Sequence, residues 1–154
     1  MDDYGRRIVI DLNFDQALAE AIQALQKEGM EVIARIDVRE HFRQRLQHDF
    51  RRYILLQVWL PEMILGALRD DLRAGAILPT TVAVYELADG ETAVVASEPL
   101  APILSDLASR REMPGLAAVG DEESERIARA LARLQRRTSQ QTPGSATAYV
   151  HANS

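Results

Sequence analysis

The segment from Arg51 to Leu60 constrains the fold more than any other stretch of the chain. Read as an extended strand, it sends Ile54, Leu56 and Val58 to one side and Tyr53, Leu55, Gln57 and Trp59 to the other. A strand that is apolar on both sides belongs inside a sheet needing cover on both faces. Each large aromatic removes about 150–250 Å² from water. At about 25 cal/mol per Å² that is roughly 4–6 kcal/mol per ring as an upper bound. Helices can cover one side. A partner subunit, ordinary core, the chain's own end or a bound ligand must cover the second.

The rest of the chain supplies the helices and the neighbouring strands. Tyr4 to Leu12 alternates like a strand. Asn13 followed by Gln16 is a capping-box pattern, and Phe14, Leu18, Ile22 and Leu25 recur at helical spacing up to Gly29. Met30 to Ile36 reads as a second strand, and the row Val38, Phe42, Leu46 as a second helix. Pro61 stops the third strand and suits the first turn of a short helix carrying Ile64 and Ala67. Ile77 to Leu87 and Thr92 to Ser97 flank Ala88-Asp89-Gly90, an Asp-Gly hairpin signal. Glu98 to Arg111 is ambiguous between loop and short helix. Asp121 to Arg137 predicts a terminal helix with Ile127, Leu131 and Leu134 inward.

The expected fold is therefore α+β: a largely antiparallel sheet of about five strands with helices on one face, in the order β-α-β-α-β-α-β-β-α. One domain is expected over residues 1–137. Residues 138–154 carry no Asp, Glu, Lys or Arg and read as a flexible tail.

Composition narrows the chemistry. A chain of 154 residues buries enough surface to fold without metal or disulfide. It has no cysteine, which excludes thiol catalysis, disulfides and cysteine-based metal sites. A net charge of −5 argues against sequence-independent nucleic-acid binding. No apolar run approaches the roughly 20 residues of a membrane span. An acidic start at Met1-Asp2-Asp3 is unlike a secretory signal, so the expected location is the cytoplasm. No cofactor is expected.

The ordered set Phe14-Asp15, Glu28-Gly29-Met30-Glu31-Val32, Ile36-Asp37-Val38, Tyr53-Ile54-Leu55, Leu60-Pro61, Ala67-Leu68 and Gly75-Ala76-Ile77-Leu78-Pro79, followed by a Val-rich hairpin, resembles the family called domain of unknown function 302. The likeness runs from about residue 4 to residue 100, and the last helix agrees in position. It implies a compact domain similar to a single copy of the TATA-binding-protein-like fold, with a tendency to form homodimers and no agreed activity. Many relatives carry Cys-Asn-Pro where this chain has Trp59-Leu60-Pro61, and Pro-Cys where it has Pro79-Thr80. Both prolines are kept and both thiols are absent, so a sulfur-based role is not carried over. Likeness to a DNA-binding saddle carries no function by itself.

Several residues are candidates for ligand contact: Asp37, Tyr53, Gln57, Trp59 and Thr80. Asp37 could act on a ligand as a general base, or cap the helix that follows it. His41 and His48 lie seven apart, without a third ligand set by spacing, and read as exposed. Arg39, Arg43, Arg45, Arg51 and Arg52 could hold an anionic ligand or form a solvated face beside Glu40 and Asp49. The acidic start and arginine-rich end of the last helix complement its dipole. No catalytic residue and no metal ligand set is assigned.

The favoured expectation is a non-enzymatic homodimeric domain binding a small molecule or partner protein through the face of Tyr53, Gln57 and Trp59. The alternatives are an enzyme using Asp37 as acid or base on an anionic substrate, and an accessory subunit of a larger assembly.

Overall fold

A computed structural model of the chain describes residues 5–88 and 90–141. Its five strands are β1 (Gly5–Ile10), β2 (Glu31–Asp37), β3 (Tyr53–Trp59), β4 (Thr80–Ala88) and β5 (Glu91–Ser97). They form one antiparallel sheet in the order β1-β5-β4-β3-β2. The helices are α1 (Phe14–Lys27), α2 (Val38–Leu46), α3 (Pro61–Asp70), α4 (Leu107–Glu112) and α5 (Pro114–Gln141). The fold is α+β.

Alternation on β3 sorts the two faces of the sheet. Ile54, Leu56 and Val58 are buried. Register places Leu56 opposite Val82 and Ile54 opposite Val84, with Val94 and Ile8 continuing the layer across β5 and β1. Onto this layer pack Phe14, Leu18 and Leu25 of α1 and Ile127, Leu131 and Leu134 of α5. Asn13 starts α1 by accepting the Gln16 N–H at 3.0 Å. Gly29 ends the turn with φ of +78°, where its missing Cβ matters.

Basic residues on α5 tie it to α1. Glu28, whose side chain is 10% exposed, receives Arg129 at 2.9 Å and Arg133 at 3.1 Å, and Arg137 reaches Glu20 at 2.8 Å. The arginine stripe thus has a specific acidic partner beyond the helix dipole.

A second apolar cluster lies beyond the end of the sheet. Ile64 and Ala67 of α3, Leu100, Leu104, and Leu116 and Val119 of α5 form it. Two differences from the sequence reading arise here. First, α5 begins at Pro114, seven residues before the expected start, and runs to Gln141. Gly115 and Gly120 resemble helix breakers, yet Gly115 allows α3 and α5 to touch: a Cβ there would stand 2.8 Å from the Gly66 carbonyl oxygen. Second, β4 begins at Thr80 and not at Ile77, because Leu72–Ala76 closes a 3-10 turn and Pro79 offers no N–H to the ladder. The Glu98–Arg111 segment becomes turns and bends leading into the short α4. Of the expected tail, 138–141 continue α5. Residues 142–154, residues 1–4 and Asp89 of the hairpin turn lie outside the described residues.

Candidate functional site

The helices α1 and α5 cover one face of the sheet and leave the other open. On that open face the β3 residues Tyr53, Leu55 and Gln57 stand opposite Tyr85, Ala83 and Thr81 of β4. Tyr53, Leu55 and Gln57 are each half-buried, flanked by their neighbours on the sheet. Aliphatic groups reach both edge strands, where Val9 is 40% and Ile36 45% exposed, with the Arg7 side chain beside Val9 on the same face. Exposed aliphatic groups at both edges of one continuous surface are what a cut-open core looks like.

Aromatic rings run along one end of this face. Tyr53 and Tyr85 stack at 5.1 Å between centroids, nearly parallel at 8°. Phe50 adjoins Tyr53 at 6.4 Å, and Phe42 of α2 meets Phe50 edge-on at 5.4 Å. The Tyr85 hydroxyl accepts a long hydrogen bond from Arg7 Nε at 3.4 Å. Burial, and then the neighbouring Tyr85, raise the pKa of the Tyr53 phenol, which therefore stays protonated and a hydrogen-bond donor at neutral pH. Further along, Gln57 Nε2 donates to Thr81 Oγ1 at 3.0 Å, and the Thr81 N–H donates to Ser97 Oγ at 3.1 Å. This surface can stack, exclude water and exchange a few hydrogen bonds.

The other predicted residues do not gather there. Trp59 ends β3 and packs against the second apolar cluster beside α3 and the 100–104 segment, its indole N–H buried without an acceptor. The period of the strand gives its side correctly, but the chain turns into α3 at Pro61 and brings that cluster over the ring. Thr80 points to the covered side, 3% exposed, and donates to Glu123 Oε2 at 2.7 Å. Asp37 caps α2: its Oδ1 accepts the Glu40 N–H at 2.9 Å.

The basic cluster is largely spoken for. Arg39 and Arg43 both converge on Asp49, whose carboxyl is held below its usual range first by the Arg39 hydrogen bond and charge. Arg52 pairs with Asp15 at 2.7 Å and lies over the Phe14 ring, while Arg51 donates to the Glu86 carbonyl. His41 and His48 are exposed, and among the described residues no group of His, Asp and Glu is arranged to hold a metal ion. Among the same residues no helix is long and apolar enough to cross a membrane.

Tyr85 and Glu123 were not singled out in the sequence. Tyr85 depends on hairpin register, which sets it opposite Tyr53. Glu123 had a visible signal, since it lies four residues before Ile127 and so extends the buried stripe of α5.

Comparison with known proteins agrees with this architecture. The family described as "Domain of unknown function DUF302" matches residues 7–134. A crystal structure of an uncharacterized conserved protein DUF302 from Bacillus stearothermophilus superposes with a TM-score of 0.68 at 23% identity, over 84% of this chain and 96% of that one. No curated protein matches the sequence. With a family match spanning more than half its length and a fold shared with a solved relative, the chain belongs to the domain of unknown function DUF302 family.

Proposed function

We propose that this chain is a non-enzymatic binding domain that works as a homodimer, with a second copy covering the open face of the sheet. The observation that carries the proposal is the largely apolar surface of Ile36, Leu55, Ala83 and Val95, with Tyr53, Tyr85 and Val9 in the neighbouring row and Arg7 at its edge, over which no helix among the described residues packs. Its size suits a copy of itself. Five strands at about 4.8 Å spacing and seven residues at about 3.3 Å make a footprint of roughly 550 Å² in projection. The α2 row adds to this, since no residue of α2 is fully buried and Leu46 is 65% exposed. A standard interface removes about 800 Å² from each partner, which the sheet and α2 together approach.

The chemistry of the face supports binding over catalysis. It offers phenols, an amide, the Thr81 and Ser97 hydroxyls, aliphatic carbon and, at the edge, the Arg7 guanidinium. The carboxylate of Asp37, the one acid considered for catalysis, is engaged in capping α2.

Sedimentation of the full chain at micromolar concentration tests the proposal. The expected result is a dimer that the double substitution Val9→Glu, Ile36→Glu converts to a folded monomer, because four like charges would be buried in one interface. A wild-type monomer overturns the dimer; it would leave the face to residues 142–154 or to an apolar ligand. A dimer unaffected by the two glutamates places the interface elsewhere.

A further inference from the structure

At the corner where β1 and β5 meet, a cleft of about 310 Å³ enters between the sheet, the 99–104 segment and the middle of α5. This is at the small end of the range of about 300–1,000 Å³ usual for ligand pockets. One wall is apolar, formed chiefly by Leu100, Leu104 and Ile127, and the rest of the lining is largely polar. Its deepest polar groups are Thr80 and Glu123, each 3% exposed.

The ionic groups of the cleft do not cancel. At the mouth, Arg6 pairs with Glu98 at 2.9 Å, with Ser124 bridging both, and Arg110 pairs with Asp121. Those two pairs use up both guanidinium groups lining the cleft and two of its three carboxylates. Glu123 is the third, and among the described residues no cation pairs with it. Its Oε2 accepts the Thr80 hydroxyl, whereas Oε1 is buried with no hydrogen-bond partner. A buried acceptor left unpaired is uncommon and costs roughly 1–3 kcal/mol, more if charged.

Desolvation is the leading influence on this carboxyl and raises its pKa, against the smaller opposing hydrogen bond of the Thr80 hydroxyl and the nearby Leu60 N–H, which points toward the carboxyl without completing a hydrogen bond to Oε1. The group would ionise fully once a cation arrived beside it. An anionic ligand would meet Glu123 at the floor and would have to break the arginine pairs at the mouth. A neutral ligand would satisfy Oε1 without compensating its charge.

We propose that this cleft binds a small organic ammonium compound, its –NH3+ donating to the Glu123 carboxylate once the side chain turns Oε1 out of its buried position, and its carbon chain lying against Leu100 and Leu104. The Arg6–Glu98 and Arg110–Asp121 pairs frame the entrance and keep the mouth electrically neutral, so charge selection is made at the floor. Binding there is separate from assembly through the open face, and each can fail without the other.

The test is a set of NMR titrations of the full chain near neutral pH at fixed ionic strength, using butylammonium, 1-butanol and butyrate as probes of one shape. The expected result is saturable movement of the Thr80, Ser97, Gly120 and Ser124 amides with butylammonium. Its affinity should exceed that of the other two probes about ten-fold or more, the difference one charge-assisted hydrogen bond makes. Glu123→Gln, with its folded spectrum retained, should bring butylammonium down to the level of butanol. Equal binding of the three probes by the wild type overturns the proposal without recourse to any variant. So does the absence of saturable shifts with butylammonium at millimolar concentration, or undiminished butylammonium affinity in a folded Glu123→Gln chain.

Discussion

Replacing glycine by alanine at two positions of one helix–helix contact is expected to shift stability in opposite directions. Gly66 lies inside α3, and a Cβ built on it meets nothing within 4 Å. Gly66→Ala therefore gains helix propensity and reduces unfolded-chain entropy, for about 0.5–1 kcal/mol of added stability. Gly115 lies in the first turn of α5, against α3. A Cβ there would collide with Asp70 Oδ2 and stand 2.8 Å from Gly66 O and 3.0 Å from Gly66 C. The Asp70 side chain can swing away, although it would give up the bond it accepts from the Gly115 N–H. The Gly66 carbonyl belongs to a helix backbone and cannot move alone. Overpacking costs about 1–3 kcal/mol, and the propensity gain is smaller in a first turn, so the net loss is about 1–2 kcal/mol. For a domain of this size each kcal/mol moves Tm by about 2–4 °C. Thermal unfolding followed by circular dichroism should therefore show Gly66→Ala about 1–4 °C above wild type and Gly115→Ala about 2–8 °C below it. If Gly115→Ala melts at or above wild type, the two helices do not approach closely at this point and the account of why α5 carries a glycine there is wrong.

Two further outcomes follow from single side chains. Asp37→Ala removes the cap on α2 and should cost about 1 kcal/mol, whereas Asp37→Asn keeps an acceptor and should cost little; equal losses in chemical denaturation would mean that charge, not capping, is what Asp37 supplies. Because burial raises Glu123 above its unfolded value of about 4.5, the folded chain holds that proton more tightly. Its stabilising contribution is whole below that pH and drains away as pH climbs through the raised folded value. The stability of Glu123→Gln relative to wild type should thus improve from acid toward neutral pH, and a difference that stays flat over that window would contradict a buried, desolvated carboxyl.

Where local physics settles the outcome, the sequence was readable. Period two on Ile54, Leu56 and Val58 predicts a buried row, and all three are buried. Asn13 with Gln16, and Asp37 before Val38, are short-range capping patterns whose partners lie three residues away, and both bonds form. The start of α5 was not readable, because Gly115 and Gly120 look like interruptions until α3 is seen to lie against the first and Leu100 and Leu104 against the second. Trp59 was placed on its proper side of β3 and yet is covered by a cluster built from residues 64 to 119. Glu123 read as one of several acids beginning a helix; its place four residues before Ile127 puts it on the buried stripe, and the structure shows Thr80 as its partner there.

Side-chain periodicity and capping, both set within a turn or a strand, determined on their own which elements form and which edge of each is apolar. What lies across from an apolar edge was decided only by the tertiary structure. Tyr53 finds Tyr85 through strand register, Trp59 finds the α3–α5 cluster through the turn at Pro61, and Leu55 stays half-buried, with no covering helix among the described residues. The reason is physical: periodicity is a property of one backbone, whereas cover depends on how loops of different length bring separate elements together.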